Sequence, residues 1–351
     1  MIEIDDDDRA QVDAAIRDSL ERLARRSSAL GDGARALADA AAAAGVDGKR
    51  LRPALVVAAF RAFGGVPGPA LWEIAAAFEL LHTGFVVHDD LIDRDLERRG
   101  SPNVAGRFRA RARALGASAD DAATVGDAAA VLAGDLLLFE ATRLIAVAEI
   151  PVDMRARLFS VLDDAILVSA AGELADVENA ARIDVPDTDE LLDVAHDKTA
   201  VYSFEAPLVA GAILAGASPD AQRDLASSAA DLGLAFQLVD DLIGTFGSRR
   251  QAGRDPGADL REAKRTPLIG LARRSGAWPE VSSALAVAHT GPIAVRRAQR
   301  ELERSGARDD LVALIHEGLR RARVRAASPE VPGDAAALLA DIATAIERRI
   351  P

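Results

Sequence analysis

Apolar residues along this chain gather in helix-length runs, while the Val-, Ile-, Thr- and Tyr-rich runs that mark strands are scarce. The pattern predicts an amphipathic helix from about Arg9 to Ala44, interrupted near Gly31-Asp32-Gly33. Asp5 to Asp8 reads as its solvated start, where acidic side chains suit the helix macrodipole. Gly45-Val46-Asp47-Gly48 breaks the pattern, and Lys49-Arg50-Leu51-Arg52-Pro53 opens the next helix, with proline tolerated in a first turn. That helix ends at Gly64-Gly65-Val66-Pro67. Leu71 to about Arg98 reads as one long helix, stopped by Gly100-Ser101-Pro102. Further helices are expected over Asp127–Ala148, Asp153–Ala180, Asp189–Ala215 with a kink at Pro207, and Pro219–Phe246. Gly247–Asp259, rich in Gly, Arg and Asp, reads as a long mobile loop of the kind that serves as a lid. Breaks at Gly276, Gly291 and Pro329 to Gly333 divide the remaining Ala/Leu helices, where no chemistry stands out.

Composition sharpens this into an all-α reading. Half of the 351 residues are hydrophobic but only 4% are aromatic, so the core must be built by helix packing through Ala and Leu. No linker composition divides the chain. One domain over 1–351 is expected, with a motif-bearing core at about 45–270 and further helices at about 271–351. A formal charge of −13 argues against nucleic acid as a partner, so an anionic substrate would need a local basic cluster or a metal. The absence of cysteine excludes disulfides and thiolate sites and fits a reducing cytoplasm. The N-terminus lacks the basic start and apolar core of a signal peptide, and no uninterrupted apolar run is long enough to span a bilayer. A soluble, cytoplasmic protein is the expectation.

Candidate chemistry lies in a tetrapeptide that occurs twice, Asp-Asp-Leu-Ile, at Asp89–Ile92 and Asp240–Ile243. Asp89 and Asp93, four residues apart, project from one helix face, with Asp90 turned about 100° away. Facing carboxylates on an apolar helix repel each other and resist burial, and a hard divalent cation relieves both problems. Oxygen-only ligands favour magnesium. Two copies suggest a cavity with acid on opposite walls. Basic residues accompany the acids at Lys49/Arg50/Arg52, Arg98/Arg99, Lys198 and Arg254/Lys264/Arg265, a pairing that describes a diphosphate binder.

Read in order, these segments resemble the trans-type isoprenyl diphosphate synthases, the polyprenyl synthetases. The likeness runs through Gly48–Pro53, the first Asp-rich motif with Arg98-Arg99-Gly100, Ala133-Gly134-Asp135 and Gly172-Glu173-Leu174-Ala175-Asp176. It continues through Lys198-Thr199-Ala200, Phe236-Gln237 with Asp240-Asp241, Gly257-Ala258-Asp259-Leu260 and Lys264-Arg265-Thr266. The resemblance implies an all-α bundle around a deep cavity, and head-to-tail condensation of isopentenyl diphosphate onto dimethylallyl, geranyl or farnesyl diphosphate. It also implies magnesium, three ions per site, and a homodimer. Carried over, Asp89 and Asp93 bridge magnesium to the allylic diphosphate with Asp90 assisting, and Asp240 binds a further ion supported by Asp241. Lys49, Arg52, His82 and Arg99 match isopentenyl diphosphate contacts. Arg98, Lys198, Thr199, Gln237 and Lys264 match allylic diphosphate contacts. Asp89, Asp93, Lys198, Asp240 and Lys264 make up the catalytic set.

Three positions depart from the family pattern: Gly244 where many members place a last Asp, Arg254 in a usual Lys position, and Ala105 in place of a frequent His. His88 reads as structural. Phe85, four residues before Asp89, lies about 6 Å below it along the helix, where a ring would act as a floor for the growing chain. Gly84 beside it is expected to leave space on the adjacent strip. A short product is expected on that basis, geranylgeranyl diphosphate in preference to farnesyl diphosphate. A class I terpene cyclase and a non-catalytic modulating subunit are the competing classes. The first would not need the Lys49–Pro53 and Lys198-Thr199 motifs, and the second would not keep Asp89, Asp90, Asp93 and Arg98-Arg99 intact.

Overall fold

The computed structural model describes residues 4–46, 48–252 and 256–351; apart from a two-residue hairpin, its regular structure is helical. Backbone contacts divide the chain, expected as one domain, into two compact units. Among the described residues, the N-terminal unit holds the chain up to Ser160 and Ala210–Ala215, and the C-terminal unit holds Val161–Val209 and the chain from Gly216 to Pro351.

In the N-terminal unit, α1 (Asp6–Ser27) starts at Asp5, whose side chain accepts from the Asp8 amide at 2.7 Å. The single helix expected as far as Ala44 is two, with α2 spanning Asp32–Val46; the break falls at Gly31, as the glycine pair suggested. Next come α3 (Leu51–Ala62) and α4 (Pro69–Ile92), then α5 (Val104–Ala114) and α6 (Ala119–Val147). The core lies where α4 meets α6: Phe78, Leu80, Leu81, Leu137, Ala141 and Ile145 are fully buried. α4 is long and apolar enough to cross a membrane, but 67% of its apolar window is buried within the protein.

Two sequence expectations change here. α5 has no counterpart among the helices expected from the apolar pattern, because four arginines (107, 109, 111 and 113) mask its apolar face. Its signals were present: Asn103 caps it by accepting from the Gly106 amide at 2.9 Å, and Val104, Phe108 and Ala112 form a buried stripe. The helix expected to run to Arg98 stops at Ile92. Arg94 takes a left-handed φ of 60°, and Glu97–Arg98 pairs antiparallel with Ser101–Pro102 around Arg99-Gly100. Both turn residues have positive φ (53° and 77°), as a two-residue hairpin turn demands.

The unit boundary falls inside α7 (Val152–Ala181). α8 (Thr188–Ala195) runs into a π-helical stretch, His196–Glu205, and then α9 (Ala206–Leu214). The irregularity expected at Pro207 is thus absorbed before it, by widening of the helix. Where α10 (Pro219–Phe246) packs on this stretch, Gly233 leaves no room for a Cβ, which would lie 2.7 Å from that of Ala200. Two short helices, α11 (Arg249–Ala252) and α12 (Ala258–Arg261), occupy part of the expected 247–259 loop. Gly253–Asp255, with Arg254, lie outside the described residues. α13 (Pro267–Arg273), α14 (Trp278–Leu285), α15 (Pro292–Arg304), α16 (Ala307–Ala326) and α17 (Gly333–Glu347) complete the chain.

Candidate active site

In the N-terminal unit the Gly48–Pro53 motif forms a turn whose centre faces inward. Arg50, with φ 55°, is only 5% exposed and donates to Asp13 (2.8 Å), Glu79 (2.9 Å) and the Val46 carbonyl (3.0 Å). It therefore ties the turn to α1 and α4 and leaves Lys49, exposed, and Arg52, half-buried, on either side. A Cβ on Gly48 would meet Glu79 at 2.9 Å, so the glycine makes room for this node.

α4 presents the next components along one strip. His82, Phe85, Val86 and Asp89 are half-buried and Asp93 is exposed, whereas Thr83, Gly84, Val87 and Asp90 face packing. Burial first, and then the guanidiniums of Arg52, Arg98, Arg99 and Arg50, push His82 well below the ordinary imidazole value. The imidazole is thus neutral among four cationic neighbours, an arrangement that suits an anion. Asp89 and Asp93 close the strip, with Asp93 capping α4 through its amide to the Asp89 carbonyl at 2.8 Å.

Asp90, expected to assist as a ligand, is 6% exposed. It accepts from Asn103 at 3.2 Å and pairs with Arg98 at 3.3 Å, so it anchors the hairpin that carries Arg98-Arg99. Burial outweighs those partners and raises its carboxyl to about 6. Gly84 is corrected too: it opens no space, because a Cβ there would touch Leu138 at 3.0 Å and the Gly134 carbonyl at 3.3 Å on α6. His88 lies over Gly134, its Nε2 3.2 Å from the Val131 carbonyl. Ala105, 2% exposed in the first turn of α5, packs towards α6, where a Cβ on Gly126 would reach its carbonyl at 2.7 Å.

In the C-terminal unit the π-helical stretch carries Lys198, and Gly172 of α7 has no space for a Cβ against the Lys198 backbone. That approach lets Lys198 Nζ reach Glu173 (2.9 Å) and Asp176 (2.7 Å), so the Gly172–Asp176 motif is a holder for the lysine. Thr199, next in the chain, is half-buried. On α10 the two acids diverge. Asp240 is part-exposed and pairs with Arg349, whose guanidinium lies 4.5 Å over the Phe236 ring. Asp241 is buried and accepts from Gln237 at 2.8 Å; burial, then the Asp259 carboxylate, raises it to about 8. Like Asp90, Asp241, expected to support Asp240, is an interior group.

Gly244 has a concrete cause: a Cβ there would fall inside the Asp259 carboxylate. Asp259 opens the turn ending α12, where the Lys264 amide bonds the Asp259 carbonyl (2.9 Å) and the Ala263 amide bonds that of Leu260 (3.3 Å). This is a Schellman closure with alanine, φ 55°, where glycine is preferred. It sets out Lys264, whose side chain is 43% exposed. Arg265 instead ties down the 182–184 loop by donating to the Asp184 carbonyl at 2.7 Å. Among the described residues the left-handed non-glycines are Arg50, Arg94, Arg99 and Ala263, each within or beside a basic or acidic motif. Such strain of about 1–3 kcal/mol per residue collects at functional sites.

Sequence reasoning missed two residues. Arg349 sits in the stretch judged free of chemistry, and only an isolated Arg pair marks it. Asp259 stands within the Gly257–Leu260 motif, but its relation to Gly244 is purely spatial and leaves no mark in the sequence.

No three Asp, Glu or His side chains among the described residues form a metal site by themselves. The donors nonetheless fit a hard divalent cation. Asp89 and Asp93 lie at a helix C-terminus, where backbone carbonyls already concentrate negative charge, and Asp240 already holds a cationic group. Magnesium characteristically takes one or two carboxylates and completes its shell with substrate phosphate.

The described residues make an all-α protein with an acidic helix motif in each unit and guanidiniums beside the first of them. Residues 35–288 match the family model for polyprenyl synthetase. The chain belongs to that family. It is 34% identical to a geranylgeranyl diphosphate synthase of Sulfolobus acidocaldarius over 224 residues, 63% of this chain and 62% of that one. It is 35% identical to a (2E,6E)-farnesyl diphosphate synthase of Mycobacterium tuberculosis over 274 residues, 77% of this chain and 66% of the relative. The matched stretches thus span slightly less than two thirds of these two relatives. A geranylgeranyl pyrophosphate synthase from Corynebacterium glutamicum, solved with isoprenyl diphosphate and magnesium, superposes with a TM-score of 0.89 at 26% identity, covering 99% of this chain and 100% of that one.

Proposed function

We propose that this chain is a trans-prenyltransferase that condenses isopentenyl diphosphate with an allylic diphosphate to give a short all-trans prenyl diphosphate. One observation carries the reading: His82 of α4 faces four guanidiniums from neighbouring segments, while Asp89 and Asp93 at the end of the same helix offer a separate, cation-binding carboxylate pair. A reaction with two diphosphate substrates needs both. A terpene cyclase, with one, does not.

In this reading Lys49, Arg52, His82 and Arg99 hold isopentenyl diphosphate with its alkene exposed. Arg98, Lys198, Thr199, Gln237 and Lys264 hold the allylic diphosphate, and Asp89, Asp93 and Asp240 would hold divalent metal. Metal supplies Lewis-acid neutralisation of the departing diphosphate. The fixed cations Lys198, Lys264 and Arg98 add preorganised stabilisation as that charge develops. The allylic carbon is then attacked by the alkene of isopentenyl diphosphate, and a proton is lost to the released diphosphate. Buried Ala and Leu around these helices favour exclusion of water, which would otherwise quench the cation.

We assign the product as geranylgeranyl rather than farnesyl diphosphate. The support is Phe85, half-buried on the strip that holds Asp89, acting as a floor. A homodimer belongs to the same reading, supported by exposed Val131, Leu132 and Phe139 on α6, and sedimentation tests it. The deciding experiment supplies isopentenyl diphosphate, magnesium and each of the dimethylallyl, geranyl and farnesyl primers, and reads product length. Elongation to twenty carbons is expected, and a longer series from Phe85→Ala. Failure with every primer rejects the synthase, and a hydrocarbon released without isopentenyl diphosphate favours the cyclase.

A further inference from the structure

The contact made by Arg349 goes beyond this reading. α17 packs its Ile342 and Ile346 into the core, each at most 1% exposed, and this fixes the residues C-terminal to it. Arg349 then meets two residues one turn apart on α10: its guanidinium lies over the Phe236 ring and pairs with Asp240. Its Nη1 is buried and has no hydrogen-bond partner among the described residues. The guanidinium therefore occupies a carboxylate assigned to metal while keeping an uncommitted N–H beside it.

We propose that Arg349 is a built-in counter-cation of the second acidic motif: it holds Asp240 while metal is absent and yields the carboxylate to a divalent cation on loading. The inference rests on the proposed role of Asp240 as a metal ligand. Two positive groups cannot share the carboxylate cheaply, because Coulomb repulsion adds to competition for the same oxygens. By mass action, whatever Arg349 gains from Asp240 and Phe236 is subtracted from metal affinity. The displaced guanidinium, with Nη1 already unsatisfied, is suited to a diphosphate oxygen arriving with the metal.

The test is manganese binding to the full chain without substrate, read by paramagnetic resonance, for the parent, Arg349→Met and Asp240→Asn. A part-exposed ion pair with a cation–π contact predicts that Arg349→Met tightens the weaker class of sites about five- to tenfold. Asp240→Asn should abolish that class. Hydrogen exchange over 345–351 should rise in the parent when manganese and inorganic diphosphate are added. A merely structural Arg349 would on removal loosen the site and weaken binding. Unchanged or weaker binding in Arg349→Met, with the class still lost in Asp240→Asn, overturns the counter-cation and leaves the synthase standing. Full binding in Asp240→Asn overturns both the counter-cation and the role of Asp240 as a ligand.

Discussion

Arg50 makes the most quantitative forecast. It sits between two residues assigned to isopentenyl diphosphate, yet it is buried and donates to Asp13, Glu79 and the Val46 carbonyl. Arg50→Met keeps the apolar stem and removes the fork. The side chain of Glu79 is 6% exposed, Arg50 bonds its Oε1, and its Oε2 has no hydrogen-bond partner among the described residues, so the substitution strands a carboxylate in the core. Breaking a buried pair in this way costs about 3–5 kcal/mol. Asp13, 33% exposed on its side chain, rehydrates and adds little. The left-handed backbone at position 50 is equally strained with Arg or Met and cancels. The double variant Arg50→Met/Glu79→Met removes both charges and should recover to within about 1–2 kcal/mol of the parent. Urea unfolding monitored by circular dichroism, completed with Glu79→Met as a cycle, gives the coupling. Arg50→Met within about 1 kcal/mol of the parent, or a double variant no better than the single, refutes the argument. In the recovered double variant the turn loses its tether, so KM for isopentenyl diphosphate should rise while that for the allylic partner stays put.

Geometry has other consequences. His82 has its folded pKa depressed, so below about pH 6.5 the unfolded chain binds a proton that the folded one refuses. Stability should therefore fall as pH drops through that point, and His82→Gln should flatten the decline in melting scans; an equal decline in both counts against an imidazole held neutral in the folded chain. Gly244→Asp must displace the Asp259 carboxylate and should lower the unfolding midpoint, at a cost of about 1–3 kcal/mol, while Gly244→Asp/Asp259→Gly recovers it. Ala263→Gly relieves a left-handed alanine and should stabilise by about 1 kcal/mol; no gain would mean the turn is unstrained.

The long helices were legible because apolar content, glycine breaks and prolines act locally: α10 spans the expected Pro219–Phe246, and α7 differs from expectation by a residue at each end. Side-chain direction was less legible. Asp89 and Asp90 are adjacent, and only the packing of α4 against α6, and the hairpin carrying Asn103 and Arg98, decide that Asp90 turns inward. The same holds for Asp241 beside Asp240. Glycines misled for the same reason. Gly84 in the sequence offers space, but the space is filled by another helix, and the departure at Gly244 is explained only by the Asp259 carboxylate that a Cβ there would meet. Where a helix stops also depends on the residues beyond its end: Arg94 turning left-handed, not any residue within α4, ends it at Ile92.

Because His82, Phe85 and Asp89 ride on one uninterrupted helix, α4 is a ruler. Seven residues set the imidazole and the carboxylate about 10 Å apart along the axis. A single inserted or deleted residue between them would shift that spacing by about 1.5 Å and swing one group about 100° around the barrel of the helix. On the proposed reading, exchange of the side chain at position 85 retunes the product while the spacing of His82 and Asp89 stays fixed, whereas a change of length within this stretch alters that spacing itself.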